Sequence, residues 1–329
     1  MSAPPDNLGV TFASLQALGL DAALTTAKWA EDLGYQSYWT AETTGPEAFS
    51  TLAAVGAVAP SLDLGTGVLA LQLRTPPLTA MAAATLQALR PDRDIVLGIG
   101  ISSPVVTSQW HGAPYGDRPL ARVREFVELT RQCLSGDSVT FKGDFYEVRR
   151  FRLGVKLGDR KPKIVIGALN ERMLQLAGEV ADGVLLNYLP ASLVPWSVEQ
   201  VRKGGDATIY AYVHVGVCDR EDGIDYARRD LFSYAVVDSY ARNFERAGFA
   251  DEVADIRERH GAKDREGALA AVSDAMVDAI DVMGDADHVK ATVRAYIDAG
   301  VEAPIVMPLP WGQDRLGVVR ATLEAAAQA

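Results

Sequence analysis

Residues 162–187, PKIVIGALNERMLQLAGEVADGVLLN, decide the fold. KIVIGA (163–168) is a short β-branched run, Arg172–Val180 places Met173, Leu174, Leu176 and Ala177 at helical spacing, and DGVLLN (182–187) is a second apolar run. Two strands joined by one helix make a parallel βα unit, because parallel neighbours need a crossover. The same alternation continues outward in both directions. LGVTF (8–12), SYWTA (37–41), LDLGTGV (62–68) and DIVLGIG (94–100) precede the unit, and TIYAYVHVGV (208–217) and APIVMPL (303–309) follow it. Eight strands alternating with helical patterns predict a closed (β/α)8 TIM barrel in the α/β class, spanning 1–329 as a single domain. A barrel of this kind takes about 250 residues, so insertions are expected. They fall at about 101–119 and at 218–302, the latter a helical insertion between strands 7 and 8. SVTFKGDFYEVRRF (138–151) reads as a hairpin after the fourth helix.

The 329 residues carry 43 acidic and 32 basic side chains, a formal net charge of −11. That balance disfavours nucleic acid, which is bound by basic side chains neutralising phosphates. One island, Arg149–Lys163, has net charge +6, and the topology places it on the amino face, opposite the strand ends. Cys133 and Cys218 are far apart with no CxxC spacing, which supports neither a disulfide scaffold nor a zinc site. No apolar run reaches the roughly 18 residues of a membrane span, and no signal peptide is visible. A cytoplasmic protein without a membrane partner is expected. GxGxxG, Walker A, HxH on strand one and HExxH are missing, which disfavours a Rossmann dehydrogenase, an NTPase and a metal-dependent hydrolase; no metal site is expected.

Barrel active sites lie where the strands end. Glycine dominates three of these ends: Gly65–Thr66–Gly67–Val68, Gly98–Ile99–Gly100 and Gly167–Ala168–Leu169–Asn170. Either a flat ligand lies across strands three to five or the glycines serve tight turns. Glu42 is the only carboxylate at the first four strand ends, a candidate acid or ligand partner as well as an ordinary loop carboxylate. His214 alternates with Tyr210 and Tyr212 and so faces the lumen, as a functional or a packed histidine. His111, in SQWHGAPYGDR, could cover a substrate or stand exposed. Asn170 could cap the helix after strand five, or leave the N–H groups of residues 170–173 to an anion, with Arg172 adding charge.

GYQSYWTAETTGPEAFSTLAAVGAVAPSLDLGTGV (34–68), IVLGIGIS (95–102), VTFKGDFYEVRRFRL (139–153), the 162–187 stretch and MGDADHVKATVRAYIDAGVEAPIVMP (283–308) together resemble the luciferase-like monooxygenase superfamily, in particular its coenzyme F-420-dependent oxidoreductases. The resemblance implies a deazaflavin ring held against strands two to four. Glu42 would lie beside the ring, Gly67–Val68, often a cis bond in such proteins, would press on its centre, and Gly98 and Gly100 would flank it. Gly167, Ala168, Leu169, Asn170, Glu171 and Arg172 would hold the cofactor phosphate. Two departures stand out: Asn170–Glu171 replaces a common Gly-Pro, and Ala70 stands where some members offer a hydroxyl.

The activity implied is hydride transfer between coenzyme F-420, an 8-hydroxy-5-deazaflavin, and a small organic substrate, with Glu42, His111 and His214 competing to supply the proton. FMN, reduced by a partner reductase and used for monooxygenation, is the alternative, and a non-catalytic flavin-binding barrel the third reading. Such proteins are commonly homodimers or larger. Substrate-reading loops after strands four, six and seven carry Trp110, Tyr188 and Trp196.

Overall fold

The computed structural model describes residues 4–329. Eight parallel strands form the barrel: β1 (Gly9–Thr11), β2 (Ser37–Thr40), β3 (Asp63–Thr66), β4 (Ile95–Gly100), β5 (Lys163–Gly167), β6 (Gly183–Leu186), β7 (Thr208–Val217) and β8 (Ala303–Pro308). Each pairs with the next in sequence, β8 pairs with β1, and the β6–β7 ladder, Thr208 opposite Gly183, completes the ring. The lumen holds one apolar cluster: Trp39, Val96, Val165, Leu185, Tyr212 and Ile305, with Val68, Tyr210 and Met307 against it. The alternate strand residues, among them Val10, Leu64, Leu97, Ile164, Val184 and Val213, face the helices.

The helices are α1 (Leu20–Asp32), α2 (Ala48–Val58), α3 (Pro76–Leu89), α4 (Pro119–Cys133), α5 (Glu171–Val180), α6 (Val194–Gly204), α7 (Arg220–Ala235), α8 (Asp238–Phe244), α9 (Ala250–Gly261), α10 (Arg265–Ala270), α11 (Asp274–Ile280), α12 (Ala286–Asp298) and α13 (Arg315–Ala326). Their starts follow local chemistry. Thr75 and Pro76 open α3, and Asp285 accepts from the His288 N–H at 2.8 Å to cap α12.

Three sequence expectations are corrected. The third strand stops at Thr66: Gly67–Val68 leaves the ladder, and Leu69–Ala70 then pairs with the end of β4. The seventh strand is long because each half of one edge serves a different partner, β6 first and then the short strand Val282–Gly284, too short to show a period. The added matter between β7 and β8 ends at Asp281 rather than Glu302, since α12 is the ordinary crossover helix packed on β7 and β8. Helices α7, α8, α9 and α11 pack around their own apolar centre, including Leu231, Phe244, Ile256 and Met276, and Tyr188 from the barrel enters it.

The hairpin pairs Val139–Lys142 with Glu147–Phe151, and Glu125 on α4 accepts the N–H groups of Asp144, Phe145 and Tyr146 across its turn. Arg160 and Lys163 in the basic island both reach Asp94, at the start of β4. This end of the island therefore lies at the amino face.

Candidate functional site

The mouth formed by the strand ends centres on Val68. The Gly67–Val68 peptide is cis, and the Tyr212 hydroxyl donates to the Gly67 carbonyl at 2.7 Å. Below it, the Thr66 hydroxyl donates to the Gly98 carbonyl at 2.9 Å and accepts the Gly98 N–H at 2.8 Å. A Cβ at Gly98 would overlap the Thr66 carbonyl; one at Gly100 would lie 2.9 Å from Val68 Cγ2, and one at Gly167 3.1 Å from Val68 Cγ1. The glycines at the strand ends thus make room for Val68 and its backbone. Neither tight turns nor direct contact with a flat ligand is needed to account for them. Val68 itself is half-buried and forms the surface that a ligand would meet.

Beside it stands Glu42, whose Oε1 accepts the Ala48 N–H at the start of α2 and an Arg74 nitrogen at 2.9 Å, while Oε2 accepts Arg74 Nε at 3.2 Å. Arg74 also pairs with Glu47 and lies over the Phe49 ring. Both Glu42 oxygens act as acceptors, which suits a positioning role better than that of a free acid. Arg74→Met is expected to cost about 2 kcal/mol in a urea unfolding titration, between the values of exposed and buried pairs. The double variant Glu42→Gln/Arg74→Met should recover part of that loss. His111 is exposed, and its Nε2 donates to the Thr43 carbonyl at 2.5 Å, which folds the loop after β4 toward Glu42.

Asn170 stands at the N-cap of α5, yet its side chain makes no cap. Its amide donates instead to the Ser239 carbonyl of α8 at 3.2 Å, and its Oδ1 is buried without a partner. Glu171 and Arg172 are exposed. The first turn of α5 therefore keeps its outward N–H groups free of a side-chain cap. Around the same mouth, the Gln72 amide and the Thr40 hydroxyl are also buried without partners.

His214 lies across the mouth from Glu42 and His111, so the three candidates do not form one constellation. It is buried, with Nδ1 2.9 Å from Asp281 Oδ1 and Nε2 2.8 Å from Asn187 Oδ1. Asp230 on α7 accepts the Tyr188 hydroxyl at 2.8 Å. The ligating atoms of His214, Asp230 and Asp281 lie within 4.8 Å of one another. Burial lowers the His214 pKa to about 4 and raises that of Asp281 to about 8; burial, reinforced by the Asp281 charge, raises that of Asp230 to about 7. The Tyr188 ring stacks on Tyr234 at 3.8 Å and meets Tyr240 edge-on. Sequence reasoning missed Asn187, Asp230 and Asp281. The one available signal was Asp281 inside the apolar run Ile280–Met283.

An open-mouthed barrel with a bulged third strand and an uncapped helix after strand five defines a class of barrel that takes an anionic, planar ligand. The sequence profile of the luciferase-like monooxygenase family matches residues 8–303, and the chain belongs to that family. A Mycobacterium tuberculosis protein assigned as a coenzyme F-420-dependent oxidoreductase is 30% identical over 312 residues, covering 84% of this chain and 88% of its own. The 5,10-methylenetetrahydromethanopterin reductase of Archaeoglobus fulgidus is 30% identical over 302 residues, covering 88% and 89%. The coenzyme F-420-dependent tetrahydromethanopterin reductase of Methanopyrus kandleri has the same fold, with a TM-score of 0.80 at 22% identity over 100% of this chain and 98% of that one. No described helix is long and apolar enough to cross a membrane.

Proposed function

We propose that the protein is an oxidoreductase that transfers hydride between coenzyme F-420 and a small organic substrate. The observation that carries this reading is the uncapped start of α5 opening on the same mouth as the Val68 surface. The relatives named for coenzyme F-420 support it. The residues fit the group: Val68 offers an apolar face, Gly100 and Gly167 leave it room, the N–H groups of Glu171 and Arg172 suit a phosphate, and the Asn170 and Gln72 side chains have unused polar atoms. When bound, the deazaflavin supplies a two-electron carrier at its ring carbon C5.

The chain's own work is orientation and proton supply. Glu42, clamped by Arg74, shapes the wall beside Val68. His111 is the exposed titratable side chain of this mouth; with Nε2–H kept on Thr43, its Nδ1 can carry and release a proton. His214 sits behind Asn187 and acts through it.

Fluorescence titration with F-420 and, separately, FMN tests the reading. Saturable binding of F-420 is expected. Glu171→Gln, which removes a negative charge from the helix start, should tighten it about two- to fivefold. Binding of FMN with none of F-420 would overturn the proposal in favour of a flavin monooxygenase, and binding of neither would favour a non-catalytic barrel.

A further inference from the structure

We propose that Asn187 is an oxygen-binding group of the mouth, its amide NH2 held ready to donate to a carbonyl oxygen of the bound molecule. The proposal rests on the reading of the mouth as the reaction site. Asn187 follows β6 two residues beyond Leu185, and His214 lies two residues beyond Tyr212; Leu185 and Tyr212 both face the lumen. The period of two puts Asn187 and His214 in the next layer up, at the mouth.

The orientation of the amide follows from its partners. Asn187 Oδ1 lies 2.9 Å from the Tyr188 backbone N–H, which can only donate, so the atom there is the oxygen. His214 Nε2, 2.8 Å from the same oxygen, must then carry hydrogen, whichever of His214 and Asp281 holds the proton between them. With its oxygen doubly occupied, the amide turns its nitrogen away. Among the described residues that nitrogen has no acceptor, and Asn187 is half-buried rather than enclosed.

Much of the surrounding structure holds this one group. Tyr188 has a left-handed backbone, φ +49°, rare outside glycine. It is pinned by its N–H on Asn187, by its carbonyl accepting the Asn243 amide at 2.8 Å, and by its hydroxyl on Asp230. His214 is a positioning residue, braced by Asp281. The free NH2 is neutral and keeps its protons, so it binds and polarises a carbonyl oxygen without protonating it. That oxygen can belong to the cofactor ring or to a ketone substrate.

The chain has four asparagines, so protein labelled with 15N-asparagine gives four side-chain NH2 signal pairs. Asn187→Asp identifies the Asn187 pair by its loss. The probes are F-420 alone, acetone alone, and acetone added to the F-420 complex, with cofactor binding read in the same samples by its fluorescence. Movement of the Asn187 pair with F-420 alone assigns the oxygen to the cofactor, and movement on adding acetone assigns it to the substrate. If the pair moves with none of the three probes, the proposal is overturned. Failure of F-420 to quench would instead sink the proposed cofactor, while the acetone arm still judges Asn187. Asn187→Asp should weaken the bound probe about three- to tenfold. His214→Gln, which can still donate to Oδ1, should keep the pair as in the parent, and His214→Leu should broaden or double it as the amide turns; an unchanged pair in His214→Leu would contradict the positioning role.

Discussion

Gly98→Ala is expected to lower stability by about 3 kcal/mol in a urea titration and to abolish ligand binding at the mouth. Gly98 is gripped on both backbone groups by the Thr66 hydroxyl, and the methyl group would enter the space of the Thr66 carbonyl. Backbone on both sides leaves no side chain that can swing away, so β3 and β4 must part or shift register. At Gly100 the obstacle is only the Val68 side chain, 2.9 Å from the added carbon, and the valine can rotate. Gly100→Ala should therefore cost less and act mainly on the surface presented to the ligand. Gly158→Ala, with nothing within 4 Å, is the control and should stay within about 0.5 kcal/mol of the parent. A stable Gly98→Ala protein with normal binding would show that the β3–β4 packing is not what shapes the mouth.

The second large effect is a fall in stability as pH rises from about 6.5 to about 8. Asp230 and Asp281 are held protonated in the fold by burial, with pKa values raised to about 7 and about 8, against about 3.9 for an unfolded aspartate. Above the unfolded value the native state binds more protons than the unfolded one, so stability drops with rising pH until the folded values are passed. The loss reaches up to about 1.4 kcal/mol per pH unit for each proton. His214, lowered to about 4 by burial, acts in the opposite sense up to about pH 6.5, where an unfolded histidine still takes a proton. Below pH 6.5 the two effects partly cancel, and above it the carboxyl groups act alone. The remaining groups facing the pair, Tyr188, Tyr234, Tyr240 and Tyr296, have pKa values raised by burial and stay neutral throughout this window. The two carboxyl groups titrate as a coupled pair. Asp230→Asn, which keeps an acceptor for the Tyr188 hydroxyl and carries no charge, should flatten the urea midpoint between pH 6.5 and 8. The same slope in parent and variant would mean that the pair does not hold its proton.

Much of the barrel was legible because parallel strands buried on both faces read as apolar runs, and each run here ended where a turn residue or glycine stood. The lumen position of His214 followed from its spacing to Tyr210 and Tyr212, and the place of the basic island from strand direction alone. Other features depend on contacts between distant segments. Glu42 was visible at its strand end, but its partner Arg74 comes 32 residues later and only the fold joins them. The polar cluster behind Asn187 takes Asp230 from α7 and Asp281 from the end of the inserted helices, brought onto the barrel by the packing of Tyr188 into that insertion. The glycine-rich strand ends suggested a ligand or turns. Their actual neighbour is a side chain of the same protein, Val68, seated above them.

A crystal structure with oxidised F-420 tests the central claim most directly. The account predicts the deazaflavin ring on Val68 and a cofactor phosphate on the N–H groups of Glu171 and Arg172. A ring seated away from Val68, or a phosphate held elsewhere than at the start of α5, would contradict it.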